Sequence, residues 1–481
     1  MAEKKNPGAY YFHCFMIILF TFGFGFIPPV EPLTEMGMKI LGVFFGCLYG
    51  WVFVDLIWPS LLGMLAIVLT GYMNLAGVLK ASFGAPLIIM LIFILIFCAI
   101  LEHHGLSRFI SLWFITRKSV LGKPWTFTFI FLLSIAILSG LTSAVAATVI
   151  GWSILYSISD VLGYKRTDGY NLMMIFGLAF SSQIGMSLIP FKNVPLAVLG
   201  AWENMSGQSV DYIKYMLIAA VCTLVAIFVY LAIAKFVFKP DVSKLKELSL
   251  EKMDVADELI LNKTQKIVFL FFAILIVMLV WPSFGPKDFF VTTFINQIGT
   301  AGTVMLVIIL MMIIKPEGKA LFSFKEMVNK GVMWGIILLL AVVQPISTAM
   351  SDEVTGITAF LVNIMQPVFE GKSSIMFVIV IGLAAAMITN VVNNIAVGVS
   401  LMPVIYAYAS SMGFSGEIAS IMVAMCVLLA LLTPSASSSA ALLHGNEFID
   451  KKYLIKASIL SVVFTFIAFA VVITLMGILL F

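Results

Sequence analysis

The chain has 481 residues, of which 62% are hydrophobic and only 11% charged, and its mean hydropathy is +1.12. These values exclude an ordinary soluble domain and place the chain among polytopic integral membrane proteins. The net charge of +4 does not point to a nucleic-acid partner, because Lys and Arg follow the ends of apolar runs, as a bilayer dictates.

Apolar runs long enough to cross a core of about 30 Å recur from end to end, and α-helices rather than a β-barrel satisfy their backbone. Met1 to Tyr10 is short and polar, and the run after it is too long for a cleaved signal, so the N-terminus is expected to be mature. Residues 1–36 hold that segment and a first span. Further spans are predicted at about 39–57, 60–74 and 86–101, followed by Glu102-His103-His104 and an amphipathic piece ending at Arg117-Lys118, which suits the membrane interface. A stretch of hairpin length covers 124–162 and is broken by Ser139-Gly140-Leu141-Thr142-Ser143. A broken helix covers 170–200, interrupted over Ser181-Ser182-Gln183-Ile184-Gly185-Met186-Ser187, and a span at about 212–238 ends the half.

Residues 239–266 form the one long polar connector, with a helical look over 243–256, and separate a first repeat (37–238) from a second (267–481). The second half repeats the layout: spans at about 267–281, 297–314 and 331–347, a surface segment over 350–371, a hairpin over 373–410, a broken helix over 417–443 and a last span over 454–481. The expected fold is therefore an all-α polytopic membrane protein of about 11 spans. It has two inverted repeats, each with a re-entrant hairpin and a broken transmembrane helix. Residues show the repeat as well. Gly140 to Ala147 lies over Met387 to Asn394, matching Thr142 with Thr389, and Gln183 to Ser187 lies more loosely over Leu432 to Ala436. Paired interruptions of this kind mark a transporter binding site near the bilayer midplane.

Charge sets the orientation. With the N-terminus inside, roughly 22 Lys and Arg residues, from Lys4 and Lys5 to Lys456, fall on one side, and only Lys39, Lys80, Lys214, Lys287 and Lys372 on the other. This predicts a multi-pass protein of the cell membrane with a cytoplasmic N-terminus. The first hairpin enters from the cytoplasm and the second from outside.

The most unusual stretch is Ala386 to Gly398, which puts Thr389, Asn390, Asn393 and Asn394 into apolar, membrane-deep sequence. Amides and hydroxyls in lipid need partners, so their density suggests a polar cavity. An anion in such a cavity needs donors without standing charge, and half-helix N-termini, hydroxyls and amides supply them. Thr433, Ser435, Ser437, Ser438 and Ser439 add to the second-half set, and Thr142, Ser143, Gln183 and Ser187 make the first-half set. The plainer account is that small polar residues hold helices together.

Lys192 is the only basic residue inside a predicted membrane segment and away from its ends, just past the interruption of the first broken helix. Its ammonium either replaces a cation beside Ser143, contacts a substrate carboxylate, or snorkels to the outer interface. Glu102-His103-His104 lacks metal-ligand spacing and reads as an interfacial turn. His444 and Glu447 read as a membrane end. Cys14, Cys47, Cys98, Cys222 and Cys426 lie in apolar runs without paired spacing and read as core residues.

From about Lys39 to Phe481 the chain resembles the divalent anion:sodium symporter family of the ion transporter superfamily, the dicarboxylate, citrate and sulfate carriers. The resemblance rests on Trp58-Pro59 through Gly71, the block around Gly105-Leu106-Ser107-Arg108, and the two units of hairpin plus broken helix. It implies a homodimer with a scaffold and a mobile transport domain, an elevator-like motion, a small anionic substrate and sodium as coupling ion, with no other cofactor. The family carries Ser-Asn-Thr at each tip. Here Thr389-Asn390-Val391 keeps the asparagine and Thr142-Ser143-Ala144 does not, so the resemblance implies sodium at Thr389 and Asn390, and at Ser143 only in reduced form. Thr433-Pro434-Ser435 matches the family's Gly-Thr-Pro-type loop, whereas Gln183-Ile184-Gly185 does not.

The expected function is secondary active transport of a di- or tricarboxylate, by cation coupling or anion exchange. The alternative within the superfamily is a cation/proton antiporter, which would want an acid at a tip or break, and none stands there in the sequence. An enzyme would want an acid/base or metal constellation within the spans, and the sequence offers none.

Overall fold

The computed structural model describes residues 7–253, 255, 257–283, 285–286, 288–369 and 373–481; Lys4, Lys5, Lys287 and Lys372 of the charge count lie outside them. The first half runs α1 (Pro7–Gly23), α2 (Glu35–Phe53), α3 (Trp58–Thr70), α4 (Leu75–Ser82), α5 (Pro86–His103) and α6 (Leu106–Ile115). It continues with α7 (Pro124–Leu141), α8 (Ala144–Leu162), α9 (Gly169–Gly185), α10 (Asn193–Ser206) and α11 (Tyr212–Ile233). After the connector, with its single α turn α12 (Leu250–Met253), come α13 (Lys263–Val280), α14 (Phe290–Ile313), α15 (Phe324–Gly331), α16 (Trp334–Ser351) and α17 (Ile357–Phe369). The last group is α18 (Ser374–Ile388), α19 (Asn394–Ser400), α20 (Met402–Met412), α21 (Gly416–Cys426), α22 (Ser438–His444) and α23 (Lys451–Leu480). No strand occurs among the described residues.

The order of elements from α2 to α11 recurs from α13 to α23, with α19 and α20 together matching α8. Packing follows the same symmetry across the halves: α5 lies against α14 and α15 while α16 lies against α3 and α4, and α11 pairs with α23. The broken helices interlock likewise. α10 packs on α19, α20 and α21 of the second half, and α22 packs on α8 and α9 of the first. Glycine permits two of these approaches, since a Cβ on Gly398 would meet Val198 Cγ2 at 2.4 Å and one on Gly416 would meet Trp202 Cη2 at 2.2 Å.

Twelve helices among the described residues are long and apolar enough to cross a membrane; α7, α8 and the 394–411 stretch are hairpin arms, which leaves nine. The 13-residue α3 and the second broken helix complete the eleven-span layout. The connector is less helical than its sequence suggests: it forms a 3-10 segment, Ser243–Glu247, and the single turn α12. It is not loose, because Leu245, Leu248, Met253 and Val255 are buried and Glu258 pairs with Arg108 of α6.

Candidate functional site

At the second tip, α18 ends at Ile388, residues 389–393 turn, and α19 starts at Asn394. The neighbouring broken helix leaves helical geometry after Cys426 and resumes at Ser438, so residues 427–437 run beside the tip without a helical ladder. Backbone groups freed in a membrane protein must find partners, and Asn390 alone supplies several of them. Its Nδ2 donates to Ala386 O at 2.7 Å and Leu429 O at 2.9 Å. Its Oδ1 accepts from Leu431 N at 3.2 Å and Leu432 N at 2.9 Å. An amide has two donors and one two-lone-pair acceptor, so Asn390 is fully bonded. Thr389 Oγ1 donates to Val427 O at 2.9 Å, Thr433 Oγ1 to Asn390 O at 2.6 Å, and Ser435 Oγ to Val391 O at 3.2 Å. The tip and the break thus form one polar lattice.

Three predicted site residues serve as helix caps. Asn393 Oδ1 accepts from Ile395 N and Ala396 N, Ser437 Oγ from Ala440 N, and Ser143 Oγ from Ala146 N. Asn394 Oδ1 accepts from Ile395 N at 2.9 Å, and Ser437 Oγ donates to Ala430 O at 2.8 Å. Val391, Val392 and Ser435 face a cleft of about 670 Å³, closed on its other side by Tyr49 and Phe53 of α2 and Phe20 of α1.

The first tip differs. α7 ends at Leu141, Thr142 and Ser143 turn, and α8 begins at Ala144. Thr142 is buried, but its hydroxyl donates back to Leu138 O of its own helix. Ser143 Oγ lies 3.4 Å from Glu102 Oε1 of α5. An acidic side chain of another helix therefore reaches a tip whose own residues include no acid. Glu102 is exposed in the last turn of α5, as its place at the end of an apolar run beside two histidines leads one to expect, and from there it also contacts the tip. Of those histidines, His104 bonds Leu321 O at 2.9 Å, and burial holds its imidazole below the ordinary pKa; His103 lies 3.8 Å from Glu326.

The first broken helix is interrupted later than its polar residues suggest. Ser181, Ser182 and Gln183 remain inside α9, a 3-10 turn covers Met186–Leu188, and the chain is extended at Ile189. The cause is Pro190, which lacks an N–H and drives the residue before it out of helical conformation. Lys192 consequently lies at the end of the break, as the N-cap residue of α10. Ser187 Oγ donates to Ile184 O at 2.8 Å and sits 3.3 Å from Thr223 Oγ1 of α11. Gln183 is fully buried, yet neither its Oε1 nor its Nε2 has a hydrogen-bond partner. Lys192 is 3% exposed and its Nζ makes no hydrogen bond. Two α5 groups interact with that ammonium electrostatically, the Cys98 thiol and the Glu102 carboxylate. Both touch the tip, since Cys98 Sγ lies 3.5 Å from Leu141 O.

The model of a citrate transporter family matches residues 38–428. Among curated proteins, the sodium-dependent dicarboxylate transporter SdcS of Staphylococcus saprophyticus is 20% identical over 288 residues, 58% of this chain and 54% of that one. The chain thus matches about half the length of this relative. Among solved structures, the YdaH transporter of Alcanivorax borkumensis, described as having an unusual topology, superposes with a TM-score of 0.59. That match is 13% identical and covers 82% of this chain and 86% of the other, and it speaks for the fold.

Proposed function

This chain belongs to the citrate transporter family, and from that premise we propose that it is a secondary active transporter of a small di- or tricarboxylate, coupled to sodium and working by an elevator-type alternating access. The observation that carries the reading is the lattice at the second tip, where a hairpin and a broken helix present hydroxyl and carbonyl oxygens around one fully bonded asparagine. Uncharged oxygens on unwound backbone are the donor set that coupling sodium ions use in transporters, and helix N-termini are the set that anionic substrates use. In this reading Thr389 and the carbonyls of residues 427–431 hold the sodium, and Asn390 fixes their positions. Asn393, Asn394, Thr433, Ser435 and Ser437 shape the substrate site from the second half. Thr142, Ser143, Gln183 and Ser187 shape it from the first. We read the carrier as a homodimer, as the family resemblance implies, in the cell membrane with a cytoplasmic N-terminus, an orientation that the Lys and Arg distribution supports.

The test is uptake of labelled succinate, citrate and sulfate into proteoliposomes, with and without an inward sodium gradient, for the parent and Asn390→Ala. Sodium-stimulated uptake of a carboxylate, lost in Asn390→Ala, is the expected result. Absence of anion uptake under either condition, including with preloaded anion, overturns the reading. A second reading, cation/proton antiport, has Glu102 at the first tip in its favour. It requires proton efflux driven by external cation in the same vesicles.

A further inference from the structure

Four helices start directly after a tip or a break, and three of them are capped by an oxygen of their own chain: α8 by Ser143, α19 by Asn393 and α22 by Ser437. The fourth, the 14-residue α10, has no side-chain cap and carries Lys192 where the capping oxygen would be. A lysine there is electrostatically unfavourable, because a helix N-terminus is itself the positive end of the dipole. Burial makes it more so. The ammonium is 3% exposed, makes no hydrogen bond, and no carboxylate of the described residues lies within ion-pairing distance. An unpaired buried charge is costly enough that proteins retain it where a partner arrives from outside.

We propose that Lys192 is a cation built into the first tip: its ammonium and the uncapped N-terminus of α10 bind a carboxylate of the substrate, and the first half consequently takes no sodium. The geometry around the tip agrees. Ser143 Oγ already caps α8, Thr142 Oγ1 is returned to its own helix, and Ala144 has no oxygen in its side chain, so the first tip offers no counterpart of the Thr389 and Asn390 lattice that orders carbonyl oxygens at the second. α5 links this place to the tip, since its Cys98 and Glu102 contact the tip at Leu141 O and Ser143 Oγ and lie in the electrostatic field of the ammonium. The positive charge that the second half must borrow from solution is covalent in the first. The inference rests on the transport reading above and adds to it a sodium count and an anchor for the anion.

Uptake of labelled succinate and citrate by the parent in proteoliposomes is titrated with sodium, and the anion KM is measured for Lys192→Gln and Lys192→Arg. A Hill coefficient for sodium near one is expected of the parent. Lys192→Gln should raise the anion KM about tenfold or more, the value of one charge-assisted hydrogen bond, and Lys192→Arg should recover most of it. The anion concentration giving half-maximal thermal protection in detergent should move in parallel, a shift that a purely structural role would not produce. An unchanged KM in Lys192→Gln overturns the proposal, as does a parent Hill coefficient near two. If Lys192→Gln fails to fold, the parent's sodium curve decides alone. Parent vesicles that take up no anion sink the transport reading and this one with it; parent uptake with an indifferent Lys192→Gln sinks only this one.

Discussion

At the second hairpin tip one amide, Asn390, is bonded on both edges to the broken helix beside it, whereas at the first tip Thr142 bonds its own helix and Ser143 caps α8 and contacts Glu102. There only the Ser139 hydroxyl reaches the broken helix, at Ser182 O, and Gln183 and Lys192 are left without hydrogen bonds. The two places are equivalent in the order of elements. What differs is how each closes a break in a helix. The second break spans residues 427–437 and frees many backbone groups, so the tip must supply partners for them. The first is closed by a 3-10 turn and Pro190, frees few, and leaves its long polar side chains available for something else.

The comparison can be broken most directly at Asn390. Asn390→Ala strips partners from two carbonyls and two N–H groups at about 1–3 kcal/mol each where buried, so a loss of about 3 kcal/mol or more is expected in the thermal unfolding of the detergent-solubilised protein. A loss below about 1 kcal/mol would mean that the lattice does not hold the tip.

The hairpin-to-broken-helix contacts offer a second contrast. A Cβ on Gly185 would sit 2.1 Å from Ala136 O and 2.5 Å from Ala136 Cα, both backbone, while one on Gly382 would sit 2.6 Å from Met422 Cγ. Backbone cannot step aside and a methionine can, so Gly185→Ala is expected to cost about 2 kcal/mol and Gly382→Ala less than about 1. Equal losses would show that α7 yields as easily as the Met422 side chain.

Smaller effects separate the two threonines. Thr389→Val orphans Val427 O and should cost about 1 kcal/mol, whereas Thr142→Val should be close to neutral, because Leu138 O keeps its bond from Thr142 N. The smallest shift has the opposite sign. Gln183→Met removes a buried amide that has no partner and should stabilise the resting protein by about 1 kcal/mol while lowering anion uptake. Destabilisation there would show that the amide is satisfied by ordered water, which a methionine would displace.

The sequence alone determined the membrane class, the eleven-span layout, the two hairpins and the family resemblance. Each follows from the length of apolar runs and the rarity of polar residues within them, which a bilayer enforces locally. It also singled out Asn390 and Lys192 as polar groups out of place. Only the tertiary structure decided which partners they have. The second-tip asparagine satisfies a break some forty residues away in the chain, a relation that no spacing rule encodes. The first break lies at Pro190 instead of at the more polar Ser181 to Ser187, because a missing N–H ends a helix and a buried serine need not. Glu102 came to the first tip because the last turns of α5 end beside it, and hydropathy, which sees an acid at the end of an apolar run as a membrane boundary, carries no record of that contact.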